Sequence, residues 1–263
     1  MRRKLVAGNW KMHMTATEAV ATVECFIKEI GSKDSADMVI CPTFLSIPKV
    51  RELTKSTKIE IGAQDVFWMP KGAFTGQISA GMLRAAGCSY CIVGHSETRG
   101  RFGKLEIPAE TVCHFGETDH TVNLKIGALL EHGIRPILCV GETQAERDAS
   151  MTDAIITTQL EKALHSLDPT ELDALVIAYE PVWAIGTGKV CDSLEAERVC
   201  GLVRSILEDL VGEGLARTCR VLYGGSVKAS NAKELFSQPN IDGGLVGGAS
   251  LDPKEFAAIV SSA

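Results

Sequence analysis

Eight short apolar runs recur along the chain, each followed by a helical stretch, and that alternation leaves few folds open. The runs occupy residues 4–9, 38–41, 59–63, 90–94, 136–140, 175–179, 221–223 and 244–246. Helices are expected over 17–30, where Ala19, Val23, Phe26, Ile27 and Ile30 share a face, and in a short turn begun near Pro48. Further helices are expected over 79–86, closed by Gly87, over 118–131, stopped by Gly133, over 143–167 as one long stretch, and over 193–210. The last two strands each precede a helix, the final one opened by Asp252-Pro253. Strands separated by helices run parallel, and eight of them without a composition break or linker predict a single (β/α)8 barrel domain over residues 1–263. An open doubly wound sheet fits the bare alternation, but the GxGxxG signature it often carries is missing: Gly224-Gly-Ser226 and Gly247-Gly248 lack that spacing.

In such a barrel the chemistry gathers at the carboxyl ends of the strands. Strand one ends in Asn9-Trp-Lys11, strand four in His95-Ser-Glu97, strand six in Glu180, strand seven in Gly224-Gly-Ser226 and strand eight in Gly247-Gly248. A carboxylate, an imidazole, an ammonium and two glycine-rich anion cradles therefore converge. Pro181 stops the sixth strand. Val182, Trp183, Ala184 and Ile185 follow, then Gly186-Thr187-Gly188-Lys189-Val190-Cys191, a connection too apolar for an ordinary solvated loop. It reads as a lid that excludes water above Glu180 and offers the Gly186 and Gly188 amides to an anion, the setting of a base that works on a phosphorylated substrate.

A net charge of -6 supplies no basic excess for nucleic acid or an anionic membrane, so attraction for such a substrate rests on local positive groups. The basic start, Met1-Arg-Arg-Lys4, lacks the apolar core of a signal peptide, and no apolar run is long enough to span a bilayer. Nine cysteines at irregular positions give no paired framework, and Cys88-Ser-Tyr-Cys91 has no second CxxC with which to build a zinc site. A reducing cytoplasm and buried, small, hydrophobic thiols are the expectation, with no metal site.

Gly8-Asn-Trp-Lys-Met12, Gly62-Ala-Gln64, Gly72-Ala-Phe-Thr-Gly76, Val93-Gly-His-Ser-Glu97, Cys139-Val-Gly-Glu142, the lid, Tyr223-Gly-Gly-Ser226 and Val246-Gly-Gly-Ala249 together resemble triosephosphate isomerase over nearly the whole chain. The resemblance implies cofactor-free interconversion of dihydroxyacetone phosphate and D-glyceraldehyde 3-phosphate in glycolysis and gluconeogenesis, by a homodimer. It implies Glu180 as the base, His95 as the neutral electrophile at the carbonyl, Lys11 as the cation and Asn9 as a holder of the substrate oxygens. Glu97 would orient Lys11 or relay a proton. Gly186, Ser226, Gly247 and Gly248 would bind the phosphate, and Ile185 and Leu245 would clamp Glu180. Another phosphosugar enzyme on this barrel would share the glycine cradles, and a non-catalytic scaffold would tolerate additions. Neither is expected to keep Glu180, His95, Lys11 and this lid together.

The chain also departs from that family. Gln77 stands where the family commonly has glutamate and Thr98 where it commonly has arginine, two positions that can pair across the dimer interface, with Thr75 reaching over beside them. Cys191 takes the far hinge of the lid, where alanine is usual, so a bulky thiol adduct there would obstruct closure. Residues 104–114 are additional. Leu105, Ile107, Pro108 and Val112 give them apolar surface, which suits either the dimer rim or a flap on the same subunit.

Overall fold

The computed structural model describes residues 2–263. Its strands are β1 Leu5–Asn9, β2 Asp37–Cys41, β3 Ile59–Ala63, β4 Tyr90–Val93, β5 Arg135–Val140, β6 Val176–Tyr179, β7 Arg220–Tyr223 and β8 Gly243–Val246. They pair in parallel in chain order, and β8 returns to β1, with Leu5 opposite Gly243, to close the barrel. The expected (β/α)8 architecture is therefore the observed one.

Alternation across each strand divides the core into two layers. Leu5 and Ala7 of β1, Ile137 and Cys139 of β5, and Val176 and Ala178 of β6 fill the inside of the barrel. Their neighbours Val6, Leu138 and Ile177 pack outward against the helices. The amino-terminal end of the barrel is tied by charge. Buried Asp242 accepts hydrogen bonds from Arg2 Nε and Arg204 Nη2, both at 2.8 Å, and from the Val221 N–H at 3.0 Å. That end is thereby reserved for stability and the opposite end for chemistry.

The helices start where capping residues place them. Thr15 and Glu18 form a reciprocal capping box at Ala16–Ile30, and Asp252 accepts from the Lys254 and Glu255 N–H groups at Pro253–Ser261. One expectation is corrected: residues 143–167 are not one helix. The chain forms Gln144–Asp148, turns through Ser150 in the left-handed region at φ 57, and restarts as Thr152–Ala163. The Met151 N–H donates to the Glu146 carbonyl at 2.9 Å, closing the first helix as a left-handed residue typically does. A short helix, Glu213–Thr218, also follows Gly212 without having been expected.

The additional residues form a closed excursion. Gly100, at φ 67, brings the start of the segment so near its end that a Cβ there would lie 2.8 Å from the Phe115 carbonyl oxygen. The Phe102 and Phe115 rings meet edge to face at 5.4 Å, and Ala109–His114 forms a 3-10 helix. Among the described residues no helix is long and apolar enough to cross a membrane.

Candidate active site

The inward count places the central carboxylate. After Val176 and Ala178, the next inward position of the sixth strand is Glu180, which is only 2% exposed. Its neighbours leave room for it. A Cβ on Gly141 would lie 1.7 Å from the Glu180 carbonyl oxygen, and one on Gly224 would lie 2.9 Å from Glu180 Cγ. Gly141, the inward position after Ile137 and Cys139, is thus a glycine because backbone from the next strand occupies its side-chain space. Gln159 holds it there, accepting from the Gly141 N–H at 2.8 Å and donating to the Gly141 carbonyl at 3.2 Å.

Gly94 turns the chain at φ 69 beyond β4 and swings His95 into the barrel mouth. His95 Nε2 lies 2.8 Å from Glu180 Oε1, and the Ser96 N–H donates to Glu180 Oε2 at 2.9 Å. The other imidazole nitrogen, Nδ1, accepts from the Glu97 N–H at 3.1 Å, so the proton of the neutral ring sits on Nε2. Burial alone would lift the Glu180 pKa, but His95 and the Ser96 N–H overcome it and the carboxyl ends below its ordinary value. Burial likewise depresses His95, and the Glu180 carboxylate outweighs it, leaving the imidazole above its ordinary value. The Glu97 N–H opposes a second proton by occupying Nδ1. When Glu180 leaves the ring, its raising contact goes, while Glu97 still raises the imidazole and burial and Lys11 lower it.

Lys11 is held in the left-handed region at φ 51, a costly conformation for a lysine. Three contacts maintain it. Asn9 Oδ1 accepts from the Lys11 N–H at 3.0 Å, and Gln64 Nε2 donates to the Lys11 and Cys41 carbonyls at 2.8 and 3.0 Å. Lys11 Nζ donates to Glu97 Oε1 at 2.5 Å, while its Cε lies 3.7 Å from where a Cβ on Gly247 would stand. The ammonium thus spans the mouth from Glu97 to the eighth-strand glycines.

Pro181 begins the connection expected to act as a lid, and Val182–Ala184 forms a buried 3-10 turn. Trp183 Nε1 donates to Glu142 Oε1 at 2.8 Å, and the Arg147 guanidinium lies 4.3 Å over the Trp183 ring. Burial raises the Glu142 pKa, against the hydrogen bonds that it accepts. Beyond this anchored hinge Gly186 and Gly188 adopt positive φ and, like Gly248, have open space where a Cβ would be, so the lid tip stands away from the glycine loops. Thr187 Oγ1 donates to the Trp183 carbonyl at 2.8 Å, and Lys189 Nζ to Gln144 at 2.6 Å. At the far hinge Cys191 is buried and its thiol is pushed up to about 12, which makes it inert at neutral pH. The exposed thiol is Cys113, in the additional segment, while Cys88 and Cys91 are fully buried.

Asn9, Lys11, His95, Glu97 and Glu180 line one cavity of about 870 Å³, closed opposite by Ile185, Gly186, Ser226, Leu245, Gly247 and Gly248. Pro181, Val182, Trp183, Thr187 and Cys191 stand behind that wall. Thr75 and Gln77 lie away from it, exposed on the loop after β3, and Thr98 faces inward, where its hydroxyl bonds Glu117 Oε2 and the His95 carbonyl. Lys104, Glu106 and Ile107 of the additional segment also line the cavity mouth. Gln64, Gly141 and Glu142 lay within motifs that sequence reading had picked out, yet they carried no assigned role. Gln159 had no local signal at all.

A carboxylate and an Nε2–H facing one point, beside an ammonium and two loops of free backbone amides, can take a proton from carbon, polarise a carbonyl and hold a phosphate. The family model described as triosephosphate isomerase matches residues 4–263. The chain is 45% identical over 261 residues to triosephosphate isomerase of Clostridium tetani, covering 99% of this chain and 97% of that one. Against the Moorella thermoacetica protein of the same name the identity is 46% over 261 residues, with 99% of each chain covered. Against that of a Synechococcus strain it is 47% over 270 residues, with 99% and 97% covered. With the barrel closed and these groups gathered at its carboxyl end, the chain belongs to the triosephosphate isomerase family, whose reaction interconverts dihydroxyacetone phosphate and D-glyceraldehyde 3-phosphate.

Proposed function

We propose that Glu180 is the base that carries a proton between the two carbons of the substrate, and that His95 Nε2–H stabilises the oxygen made negative as it does so. The observation that carries this reading is the direct Glu180–His95 contact at 2.8 Å, buried at the barrel mouth beneath the lid. Substrate inserts between the two groups. The carboxylate is then released from the imidazole toward a carbon acid, and the neutral ring turns its proton to the carbonyl. Lys11 neutralises the phosphate and the enediolate, Asn9 holds the oxygens, and Glu97 keeps Lys11 aimed. The Gly186, Ser226, Gly247 and Gly248 amides take the phosphate when the lid closes, and Ile185 and Leu245 clamp Glu180 and keep water from the enediolate.

The whole chain acts as one barrel domain in this reading, and the working unit is a cytoplasmic homodimer. Support for the dimer comes from the loops beside the site. Met12 is 94% exposed and Leu45 86%, and Phe74, Met69 and Met82 are also exposed on the side that carries Thr75 and Gln77. Gln77 and Thr98 are both neutral, so no buried charge is stranded by the loss of an ion pair.

A coupled assay of purified protein without added metal or nucleotide is expected to show both triose phosphates interconverting. Failure in both directions would overturn the proposal. Thr75→Arg places a charge in the apolar contact and is expected to shift sedimentation toward the monomer and to lower activity roughly tenfold or more, an unpaired interfacial charge typically costing several kcal/mol. A fully dimeric Thr75→Arg protein would put the interface elsewhere.

A further inference from the structure

The turn that leads into the additional segment meets the lid at Gly103, and there a side chain has no room. A Cβ on Gly103 would lie 2.2 Å from the Val182 carbonyl oxygen, 2.4 Å from that of Ile185 and 3.2 Å from Thr187 Cγ2. The left-handed region does not explain this glycine, because Gly103 is not among the positive-φ glycines. Close backbone approach does. Gly103 is also fixed from below. The Arg101 N–H donates to the Ser96 carbonyl at 2.8 Å, and Arg101 Nη2 donates to the Gly141 carbonyl at 3.0 Å and to Glu146 Oε2 at 2.5 Å. On the far side the Phe102–Phe115 contact and the 3-10 turn close the segment on itself. A rigid support therefore meets the first half of the lid while the lid tip stands open.

We propose that Gly103, carried by the segment over residues 100–114, is the rest on which the lid lies when open, so that the segment sets the balance between open and closed lid and thereby the release of product. This rests on the assignment of residues 181–191 as the lid over the base Glu180. A glycine seat favours the open position because both carbonyls can settle onto bare backbone. Any side chain at 103 crowds the Val182 carbonyl of the hinge in either position, but its clash with Ile185 and Thr187 falls on the open position alone and is relieved in a closed lid that has lifted them away. Lid opening and product release limit turnover in many enzymes of this kind, so a less stable open state slows release and tightens binding together.

Gly103→Ala is the test, read against the parent chain for kcat, KM and affinity for a phosphorylated enediolate mimic. Because the crowding opposes the open position, kcat and KM are expected to fall together by about tenfold and the mimic to bind about tenfold tighter. Fluorine NMR of labelled Trp183 should show the closed lid more populated. Deleting residues 104–114 loosens the seat by taking away the 3-10 turn behind Gly103, adds no clash, and is expected to shift the same quantities in the same direction, with an unchanged dimer constant by sedimentation. Glu110→Ala, on the exposed outer face, should behave as the parent. Weaker mimic binding in folded Gly103→Ala, or parent values in both variants, would overturn the inference. A weakened dimer in the deletion variant without tighter mimic binding would move the segment to the interface and overturn it equally. An inactive parent chain would instead remove the function proposed above.

Discussion

Glu180→Gln is expected to lower kcat by roughly 10²–10⁴-fold, the usual loss when a general base is removed. The amide keeps the shape of the carboxylate and can still accept from the Ser96 N–H, but it cannot take a proton from carbon. Glu180→Asp tests reach. Its carboxylate withdraws by one methylene from a position set by Gly141 and Gly224, both packed against Glu180 itself, so the backbone has no slack with which to follow. It should retain the chemistry at a reduced rate. Both variants should fold, with circular dichroism unchanged, and both should bind an enediolate mimic. Nearly full turnover by a Gln variant that still binds the mimic would show that the base is another group.

His95→Gln is expected to lower kcat by roughly 10²–10³-fold, as removal of a single oxyanion donor typically does, and also to move the pH profile. In the parent chain Glu180 lies below the ordinary glutamate value despite burial, because His95 and the Ser96 N–H favour its charged form. Without the imidazole, burial is opposed by less, and the Glu180 pKa rises. The acid limb of kcat/KM, which reports the free enzyme, should therefore move to higher pH in the residual activity. Stability follows the same pair. Glu180, depressed on folding, contributes stability in full above the ordinary value near 4.3 and loses it as pH falls through the depressed value. His95, raised on folding, contributes in full below about 6.5 and loses it as pH rises through the raised value. The stability difference between parent and His95→Gln should thus be greatest between those limits and shrink on either side in thermal melts. A difference independent of pH would mean that the contact carries no ionic component.

The strand ends were legible in the sequence because a strand alternates with period two and a barrel directs every second residue inward. Asn9 and Glu180 continue the inward series of Leu5 and Ala7 and of Val176 and Ala178. The burial of Val182, Trp183 and Ala184 was legible because an apolar run beyond a proline has no reason to be solvated. Gln64, Glu142 and Gln159 were not, since each acts on backbone or side chains brought near only by closure of the barrel. The left-handed turn at Ser150 was missed because a serine, unlike a glycine, does not advertise positive φ. Gly103 and Gly141 illustrate the harder limit. A glycine required by a neighbour's backbone looks in sequence like any other glycine.

The inward series also shows where the barrel stops being a core. Past the apolar layers, the next positions on five of the eight strands are Asn9, Gly141, Glu180, Gly224 and Gly247: two polar groups and three residues without side chains. A barrel of this kind typically stacks three layers of side chains. Here part of the uppermost is space, and in the reading proposed above a bound triose phosphate completes it. Substrate is in this sense a removable piece of the protein's interior, and an occupied site should withstand heat that opens an empty one, with roughly 2.7 kcal/mol gained at a ligand concentration a hundred times its Kd.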